Sequence, residues 1–452
     1  MLEEEIAMRK LVLATFVILI ALFAAACASA PPTAAPSAAQ QPAQSAAQQP
    51  AQNAAQPAAK AGGEKTVTIG FTTSQTGSAN LESGRQTNGF KLWMDEINSK
   101  GGLKLADGTV LKFASKSYDD ESKKDRVQEL YTKLINDDKA DFLISPYSSG
   151  LADAVAVVAE QNGKIMITAG AASDSTHQQG YNLVYQTYTP ASRYLTGAID
   201  LLAKLDPNAK KIAIIHEKDK FSTDVVNAAA KYAQDKGYNV MINEGYDTGT
   251  ADFSAFINKV PADADAIIGG GHFADGETFA KQLAEKNTKA KFIALLVAPP
   301  EPKFSEIGAA AQGIVGPSQW EPTVKYSADA AKAANMEWYG PAVADFVSAY
   351  KAKYNEDPSY HAAGGYTAGL ILQKALEKAG AIDKDKVKAA LDGTNMMTMF
   401  GPIKFDTDKA HGLQVGHDMV YVQWQKGADG KLAKQVVWPE ASKTASGVYP
   451  LR

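Results

Sequence analysis

Apolar strands and amphipathic helices alternate along most of this chain in two consecutive rounds, and this alternation limits the possible folds more than any other feature. The first round starts with a β-branched strand at residues 66–73 and ends with a strand at 165–168. The second round begins after Pro190 with a strand at 212–215 and ends with one at 292–297. Continuous apolar strands separated by helices predict mostly parallel sheets covered by helices on both faces. Two rounds therefore predict an α/β chain with two lobes.

The chain is predicted to cross between these lobes three times. The pattern breaks near Pro190, at Gly316-Pro317 and at Gly401-Pro402. A helix of the second round is predicted at 253–260, two later helices at 339–354 and 360–379 return to lobe 1, and a late strand of lobe 2 is predicted at 421–425. The predicted segments are 64–190 and 318–400 for lobe 1, and 191–317 and 401–452 for lobe 2. Because ligands of open parallel sheets bind beyond the carboxyl ends of the strands, we expect a site in the cleft between the lobes.

The first 26 residues are typical of an export signal. Arg9 and Lys10 precede an apolar run of 16 residues, 11–26, which is shorter than the ~20 residues of a membrane-spanning helix. The run ends at Cys27, the only cysteine, directly behind three alanines. This arrangement resembles the bacterial lipobox, in which such a cysteine carries the lipid anchor. The alternatives are a signal peptide with an incidental cysteine, or an uncleaved membrane anchor.

A segment of low complexity separates this signal from the folded part. Residues 27–63 consist mainly of Ala, Pro, Gln and Ser, with the pattern Gln-Gln-Pro-Ala-Gln repeated. Such a composition buries too little apolar surface to offset the entropy lost on ordering. We therefore predict a disordered linker that holds the folded part away from a surface.

The composition excludes several functional classes. The net charge of -4 and the pI near 6.0 give no basic field for nucleic acid or anionic lipid, so neither is expected as a partner. One cysteine rules out an internal disulfide and a Cys-rich zinc site, and the six histidines form no H-E-x-x-H motif. No nucleophile elbow or phosphate-binding loop is present. We expect no enzyme activity, no cofactor and no metal.

A series of short motifs, in order and spacing, resembles the type I periplasmic solute-binding proteins of the branched-chain amino acid class. The motifs lie at residues 69–77, 101–102, 118–120, 145–150, 169–173, 212–216, 252–254, 268–271 and 364–366. The resemblance runs from about Val67 to Trp424. It implies a monomeric two-lobed protein that closes on a small-molecule ligand and presents it to the permease subunits of an ABC transporter. The same fold would also suit a surface sensor for a signalling receptor, which is the main alternative; an adhesin is a third.

Candidate ligand contacts in lobe 1 follow two successive strands. Ser149 and Gly150 begin a predicted helix, whose N-terminal N–H groups suit a carboxylate, although plain N-capping by Ser148 or Ser149 is the alternative. The resemblance implies that Ser149 contacts the ligand carboxylate. It also implies that the loop after the next strand contributes backbone amides and a hydroxyl. That loop is Ala171, Ala172 and Ser173, and a simple turn of small residues is the alternative.

Lobe 2 and the first cleft loop supply the remaining candidates. Phe221 lies where relatives place a tyrosine against the ligand, and a core aromatic is the alternative. His272 and Phe273 follow three glycines, 269–271, which would let a ligand approach the backbone; for His272 a surface loop position is the alternative. Thr76 and Ser83, which flank the first cleft loop, are further candidates, and Trp320 is a candidate for a wall of the cleft.

The sequence departs from the family at one position that matters for the ligand. Amino acid binders of this class place an acidic residue just after the strand at 292–297, to meet the ligand ammonium. Here the chain continues Ala298-Pro-Pro-Glu301, so Glu301 comes late. An amino acid, an aromatic or aliphatic carboxylate and an amide therefore all remain open as ligands.

Overall fold

A six-stranded sheet forms the framework of the first lobe in the computed structural model, which describes residues 62–451. The predicted signal, Cys27 and the linker up to residue 61 lie outside the described residues. The strands are β1 (Glu64–Thr73), β2 (Leu103–Lys104), β3 (Val110–Asp119), β4 (Phe142–Ile144), β5 (Met166–Thr168) and β6 (Val184–Gln186). They lie in the order β2-β3-β1-β4-β5-β6, and every pair except β2-β3 is parallel. The helices between them are α1 (Asn80–Ser99), α2 (Lys124–Asn136), α3 (Ser149–Gln161) and α4 (Asp174–His177).

A seven-stranded sheet forms the second lobe. Its first strands and helices are α5 (Thr196–Leu205), β7 (Lys211–Glu217), α6 (Lys220–Asp235), β8 (Asn239–Tyr246), α7 (Ser254–Ile257), β9 (Ala266–Gly270), α8 (Phe273–Glu285), β10 (Phe292–Leu295) and β11 (Val315–Ser318). Two late strands, β15 (Val420–Lys426) and β16 (Leu432–Trp438), complete the sheet, and the order is β16-β15-β11-β10-β9-β7-β8. The strands from β8 to β11 are parallel, whereas β15 and β16 are antiparallel. These two sheets confirm the predicted α/β class.

The chain between β11 and β15 returns to the first lobe. It forms α9 (Ala328–Ala333), β12 (Glu337–Trp338), α10 (Val343–Tyr354), α11 (Tyr360–Ala379), α12 (Lys384–Asp392), β13 (Asn395–Thr398) and β14 (Gly401–Lys404). α11 packs closely on α1 through glycines, because a side chain at Gly365 would collide with the backbone oxygen of Gln86. The helix ends at Gly380, whose φ of 64° suits glycine.

Two predicted helices are shorter in the structure, and a proline stands beside each. The helix predicted at 253–260 covers only Ser254–Ile257, and Pro261 follows soon after its end. The helix predicted at 339–354 begins at Val343, two residues after Pro341. Among residues 62–451, no helix combines the length and the apolar character needed to cross a bilayer.

The third crossing between the lobes lies later than the expected 401–402. Gly401, with φ 132°, begins the second strand of a hairpin with β13, and the chain then runs beside the edge strand β6. The N–H of Gln186 donates to the carbonyl of Gly412 (2.8 Å), and Gln414 Nε2 donates to the carbonyl of Thr187 (3.4 Å). This contact covers an otherwise open sheet edge, so residues 401–417 belong with the first sheet. We therefore define lobe 1 as residues 62–190 and 319–417, and lobe 2 as 191–318 and 418–451.

Candidate functional site

Residues from both lobes enclose a small cavity, which we call the inner cavity. Its walls are Tyr147, Ser149, Gly170, Ala172, Tyr188, Tyr360 and His361 from lobe 1, and Tyr194, Phe221, His272 and Val297 from lobe 2. Its volume is about 10 Å³, roughly enough for one water molecule. Four of the residues predicted from the sequence (Ser149, Ala172, Phe221 and His272) therefore meet at one place.

Ser149 connects the two predicted loops of lobe 1. Its hydroxyl oxygen accepts hydrogen bonds from the backbone N–H groups of Ala172 (3.0 Å) and Ser173 (3.2 Å). Ser148 occupies the N-cap position of α3, but its side chain makes no capping hydrogen bond. The structure thus brings a hydroxyl and two backbone donors together at the start of α3, which is an arrangement suited to a carboxylate.

Aromatic rings form most of the inner cavity. Phe221 is buried at the start of α6 and meets Tyr194 edge-on at 5.0 Å. Tyr188 and Tyr360 also meet edge-on, at 5.7 Å. The sequence reasoning missed Tyr147, Tyr188, Tyr194 and Tyr360, because buried tyrosines far apart in the chain look like ordinary core residues. These rings would pack around the apolar body of a ligand.

His272 links the two lobes at the edge of this cavity. Its Nδ1 hydrogen-bonds the hydroxyl of Tyr147 (3.0 Å), and its Nε2 hydrogen-bonds Asp219 Oδ2 (3.2 Å). Burial lowers the pKa of His272, but the hydrogen bond and charge of Asp219, with the charges of Glu217 and Glu82, outweigh it and raise the pKa to about 10. The ring is therefore a cation at neutral pH.

A second and larger space, the outer cavity, adjoins the same histidine. It measures about 520 Å³ and is lined from lobe 1 by Ser148 and Gly150 and from lobe 2 by Glu217, Asp219, His272 and Asp275, among others. Of the predicted residues, Gly150 and His272 line it. The outer cavity is strongly polar along its lobe 2 wall.

The structure places the other candidates away from both cavities. The Thr76 hydroxyl donates to Asp119 (2.9 Å), and the Ser83 hydroxyl accepts from the N–H of Ser74 (2.8 Å), so both brace the first cleft loop. Ala171 is buried and lines neither cavity. Trp320 does not wall the cleft, because its ring packs edge-on against Phe346 (5.6 Å) in the core of lobe 1 and its indole N–H donates to the carbonyl of Met399 (3.0 Å).

Phe273 and the glycines before it have structural contacts of their own. The Phe273 side chain packs in the core of lobe 2, while its backbone N–H donates across the cleft to Glu82 Oε1 (2.9 Å). A Cβ on Gly269 would lie 2.2 Å from the carbonyl oxygen of Ile215 on the neighbouring strand. The lack of a side chain there serves close packing of β9 on β7.

Glu301 is fully buried and is paired across the cleft. Its carboxylate binds Arg85 of α1 and Nδ1 of His361 of α11, both in lobe 1. Burial lowers the pKa of His361 to about 3, so the ring is neutral and donates its proton to the carboxylate. Both Glu301 oxygens therefore have protein partners, which argues against Glu301 as the acid that meets a ligand ammonium.

Comparisons with known proteins agree with this architecture. Residues 66–431 match the family model described as "Periplasmic binding protein". The leucine-, isoleucine-, valine-, threonine- and alanine-binding protein of Pseudomonas aeruginosa is 26% identical over 373 residues, covering 80% of this chain and 91% of that protein. The Leu/Ile/Val-binding protein homolog 7 of Brucella suis is 25% identical over 377 residues, covering 78% of this chain and 86% of that protein.

Solved structures of the same kind also superpose well. The branched-chain amino acid transporter substrate-binding protein LivJ from Streptococcus pneumoniae, in complex with isoleucine, has a TM-score of 0.66 at 25% identity. The match covers 83% of this chain and 100% of LivJ. A solute-binding protein of an ABC transporter from R. palustris, in complex with benzoate, has a TM-score of 0.67 at 20% identity and covers 85% of this chain and 99% of that one.

The family match spans most of the chain and includes both lobes and the loops that form the inner cavity. It confirms the resemblance drawn from the short motifs, and it confirms a binding role in place of an enzymatic one. This chain belongs to the periplasmic binding protein family and is a solute-binding protein.

Proposed function

We propose that this protein is the extracytoplasmic solute-binding component of an ABC uptake transporter, and that it binds a small carboxylate-bearing solute between its lobes. The observation that carries the proposal is the meeting of Ser149, Ala172, Phe221 and His272 at one cavity, with contributions from both lobes. Each of these residues follows the carboxyl end of a strand, where ligands of open parallel sheets bind.

The chemistry of the inner cavity favours a carboxylate attached to an apolar body. The hydroxyl of Ser149, whose oxygen accepts from the N–H groups of Ala172 and Ser173, can donate its proton to the carboxylate, with the positive end of α3 behind it. The surrounding tyrosines and Phe221 suit an aliphatic or aromatic remainder. An amino acid and an aromatic carboxylate both fit this description, in keeping with the isoleucine and benzoate found in the two similar structures.

Binding requires the lobes to part. A cavity of about 10 Å³ has no room for an amino acid or a benzoate, so a solute must enter an open form and displace the rings as the lobes close. A ligand can favour a closed form only by contacting it better than the open one. Contacts supplied by both lobes meet that condition.

Export and anchoring form part of the proposal. The signal at 1–26, Cys27 and the spacer that follows support a protein tethered by lipid to the outer face of the cytoplasmic membrane. The transporter role is supported by the names of the similar proteins, one of which is a transporter substrate-binding protein. The permease subunits are the expected protein partners.

A thermal-shift screen of the wild-type chain and of a variant whose inner cavity is filled tests the binding proposal. The wild-type chain is heated with leucine, isoleucine, valine, benzoate and simple amides, one at a time. A true ligand at a thousandfold excess over Kd adds about 4 kcal/mol of stability, which raises the midpoint temperature of unfolding by several degrees. In Ala172→Leu the larger side chain overfills the inner cavity, so we expect the shift to be lost.

Ala344→Leu is the matched control, because Ala344 is exposed on α10 and lines neither cavity. It should keep the full ligand-induced shift. The proposal fails if no compound of the panel stabilises the wild-type chain, or if Ala172→Leu, shown to be folded, responds as the wild-type does.

A further inference from the structure

Three side chains of lobe 2 converge at the wall of the outer cavity. Glu217 is the last residue of β7, Asp219 precedes α6, and His272 precedes α8. β7 and β9 are adjacent and parallel, so the loops that follow them leave the same edge of the sheet. One ligand atom from each of the three side chains lies within 4.8 Å of the other two.

The geometry of this cluster matches that of metal ligands. His272 Nε2 and Asp219 Oδ2 lie 3.2 Å apart. Two atoms bound to one ion at about 2.1 Å each, at tetrahedral or octahedral angles, are separated by about 3 to 3.4 Å. The Nδ1–H group donates to the Tyr147 hydroxyl oxygen (3.0 Å) and so orients the ring with Nε2 facing the carboxylates, as the outer partner of a metal-bound histidine does.

Glu217 gives an independent sign that a cationic partner is missing from the protein's own contacts. The residue is only 4% exposed and lines the outer cavity. Its Oε1 accepts a hydrogen bond from Thr248 (2.5 Å), but within residues 62–451 no donor reaches Oε2. Because Glu217 lines the outer cavity, this oxygen has no protein donor to displace before a cation binds it.

Gly271 lets two carboxylates approach each other closely. A Cβ built on this glycine would lie 2.4 Å from Glu217 Oε2 and 2.7 Å from Asp275 Oδ2, so a side chain there would push the two oxygens away. The Tyr246 hydroxyl donates to Asp275 Oδ2 and holds this carboxylate in place. Asp275 is accordingly a fourth candidate ligand.

We propose that lobe 2 binds one divalent transition-metal ion, Zn²⁺ or Mn²⁺, through Glu217, Asp219 and His272, with Asp275 completing the set. A mixture of one imidazole nitrogen and several carboxylate oxygens suits these ions better than Ca²⁺ or Mg²⁺, which prefer oxygen alone. On binding, the ion replaces the proton on Nε2, which is released to solvent. The remaining coordination positions face the outer cavity, where water or an oxygen of a solute can fill them.

Titration calorimetry on the full chain, stripped with EDTA and purified in mild detergent, tests this site. We expect saturable binding of one equivalent of ZnCl₂ or MnCl₂, and at least 10-fold weaker binding of MgCl₂. Glu217→Gln and His272→Gln should weaken the transition-metal affinity by at least about 10-fold. Tyr147→Phe keeps every ligand but loses the orienting hydrogen bond, so we expect a loss of about 10-fold.

Glu285→Gln is the matched control, because this exposed carboxylate lies on the same helix as Asp275 but at its far end. The metal affinity of Glu285→Gln should equal that of the wild-type chain. The absence of one-equivalent binding of both ions to the wild-type chain would overturn the site. So would wild-type affinity in a folded Glu217→Gln, since surface histidines would then hold the ion. Neither result bears on the inner cavity, whose ligand screen contains no metal.

Discussion

His417 is fully buried where the three crossings between the lobes meet. Its Nε2–H donates to the carbonyl of Gln319 (2.7 Å), and its own carbonyl accepts from the Thr189 hydroxyl (3.2 Å). Gln319 Oε1 in turn accepts from the Thr189 N–H (2.9 Å). One residue from each crossing therefore takes part in a single hydrogen-bonded cluster, which holds the hinge together.

The buried state of His417 predicts a loss of stability in acid. Burial lowers its pKa to about 4, against about 6.5 in an unfolded chain, so the folded protein excludes the proton that the unfolded chain binds. The stability that neutral His417 contributes to folding is therefore complete above pH 6.5 and is lost as the pH falls toward 4. The loss in the free energy of unfolding is at most about 3 kcal/mol. Urea unfolding gives the free energy of unfolding at pH 7.5 and at pH 4.5. The difference between these two free energies should be smaller for His417→Gln than for the wild-type chain. Equal differences would mean that this histidine is not held neutral.

Single residues were predictable from the sequence where a loop follows a strand in a recognisable order. Ser149, Ala172 and His272 follow three different strands and do reach the inner cavity. Tyr360 and His361 reach it from α11, a helix far away in the chain whose return to the cleft depends on the packing of glycines against α1. Local patterns carry no information on that packing, so these two residues could not be assigned.

At the scale of elements, the parallel strands and their helices were predictable because each is marked by its own run of apolar residues. The position of segment 405–417 was not predictable, since its apolar residues follow no regular periodicity. Its place is decided by the open edge of β6, which it covers through Gln186 and Gly412. The cross-lobe partners of Glu301 were equally hidden, because Arg85 and His361 are separated from it by more than 200 and by 60 residues.

The contact of α1 and α11 with the loop after β10 leads to a prediction about closure. Glu301→Gln keeps the volume of the side chain but removes the charge that pairs with Arg85. Breaking a buried pair costs about 3 kcal/mol or more, and here the closed form bears the cost, so the ratio of open to closed forms should rise roughly a hundredfold. Small-angle X-ray scattering of the ligand-free variant should show a larger radius of gyration.

Glu244→Gln serves as the reference for this experiment, because Glu244 forms a surface pair with Lys259 within lobe 2. Surface pairs contribute little, so its scattering should match that of the wild-type chain. An unchanged radius of gyration for a folded Glu301→Gln would show that the cross-lobe pair does not hold the lobes closed.

At the scale of the whole molecule, binding and location are separate properties of separate segments. The inner cavity lies between the two sheets, and in the proposed function the three crossings form the hinge at which the lobes part. The proposed anchor depends on residues 1–27 alone. A change at the anchor should therefore alter where the protein resides without altering what it binds.

Cys27→Ser tests that separation. Lipid attachment requires the thiol, and several acyl chains on one residue hold a protein at a membrane far better than one. In a bacterial host, most of the wild-type chain should sediment with membranes, whereas most of the variant should appear in the soluble exported fraction. Both should give the same ligand-induced thermal shift. If the variant stayed with the membranes, the attachment would come from an uncleaved apolar segment rather than from lipid on Cys27.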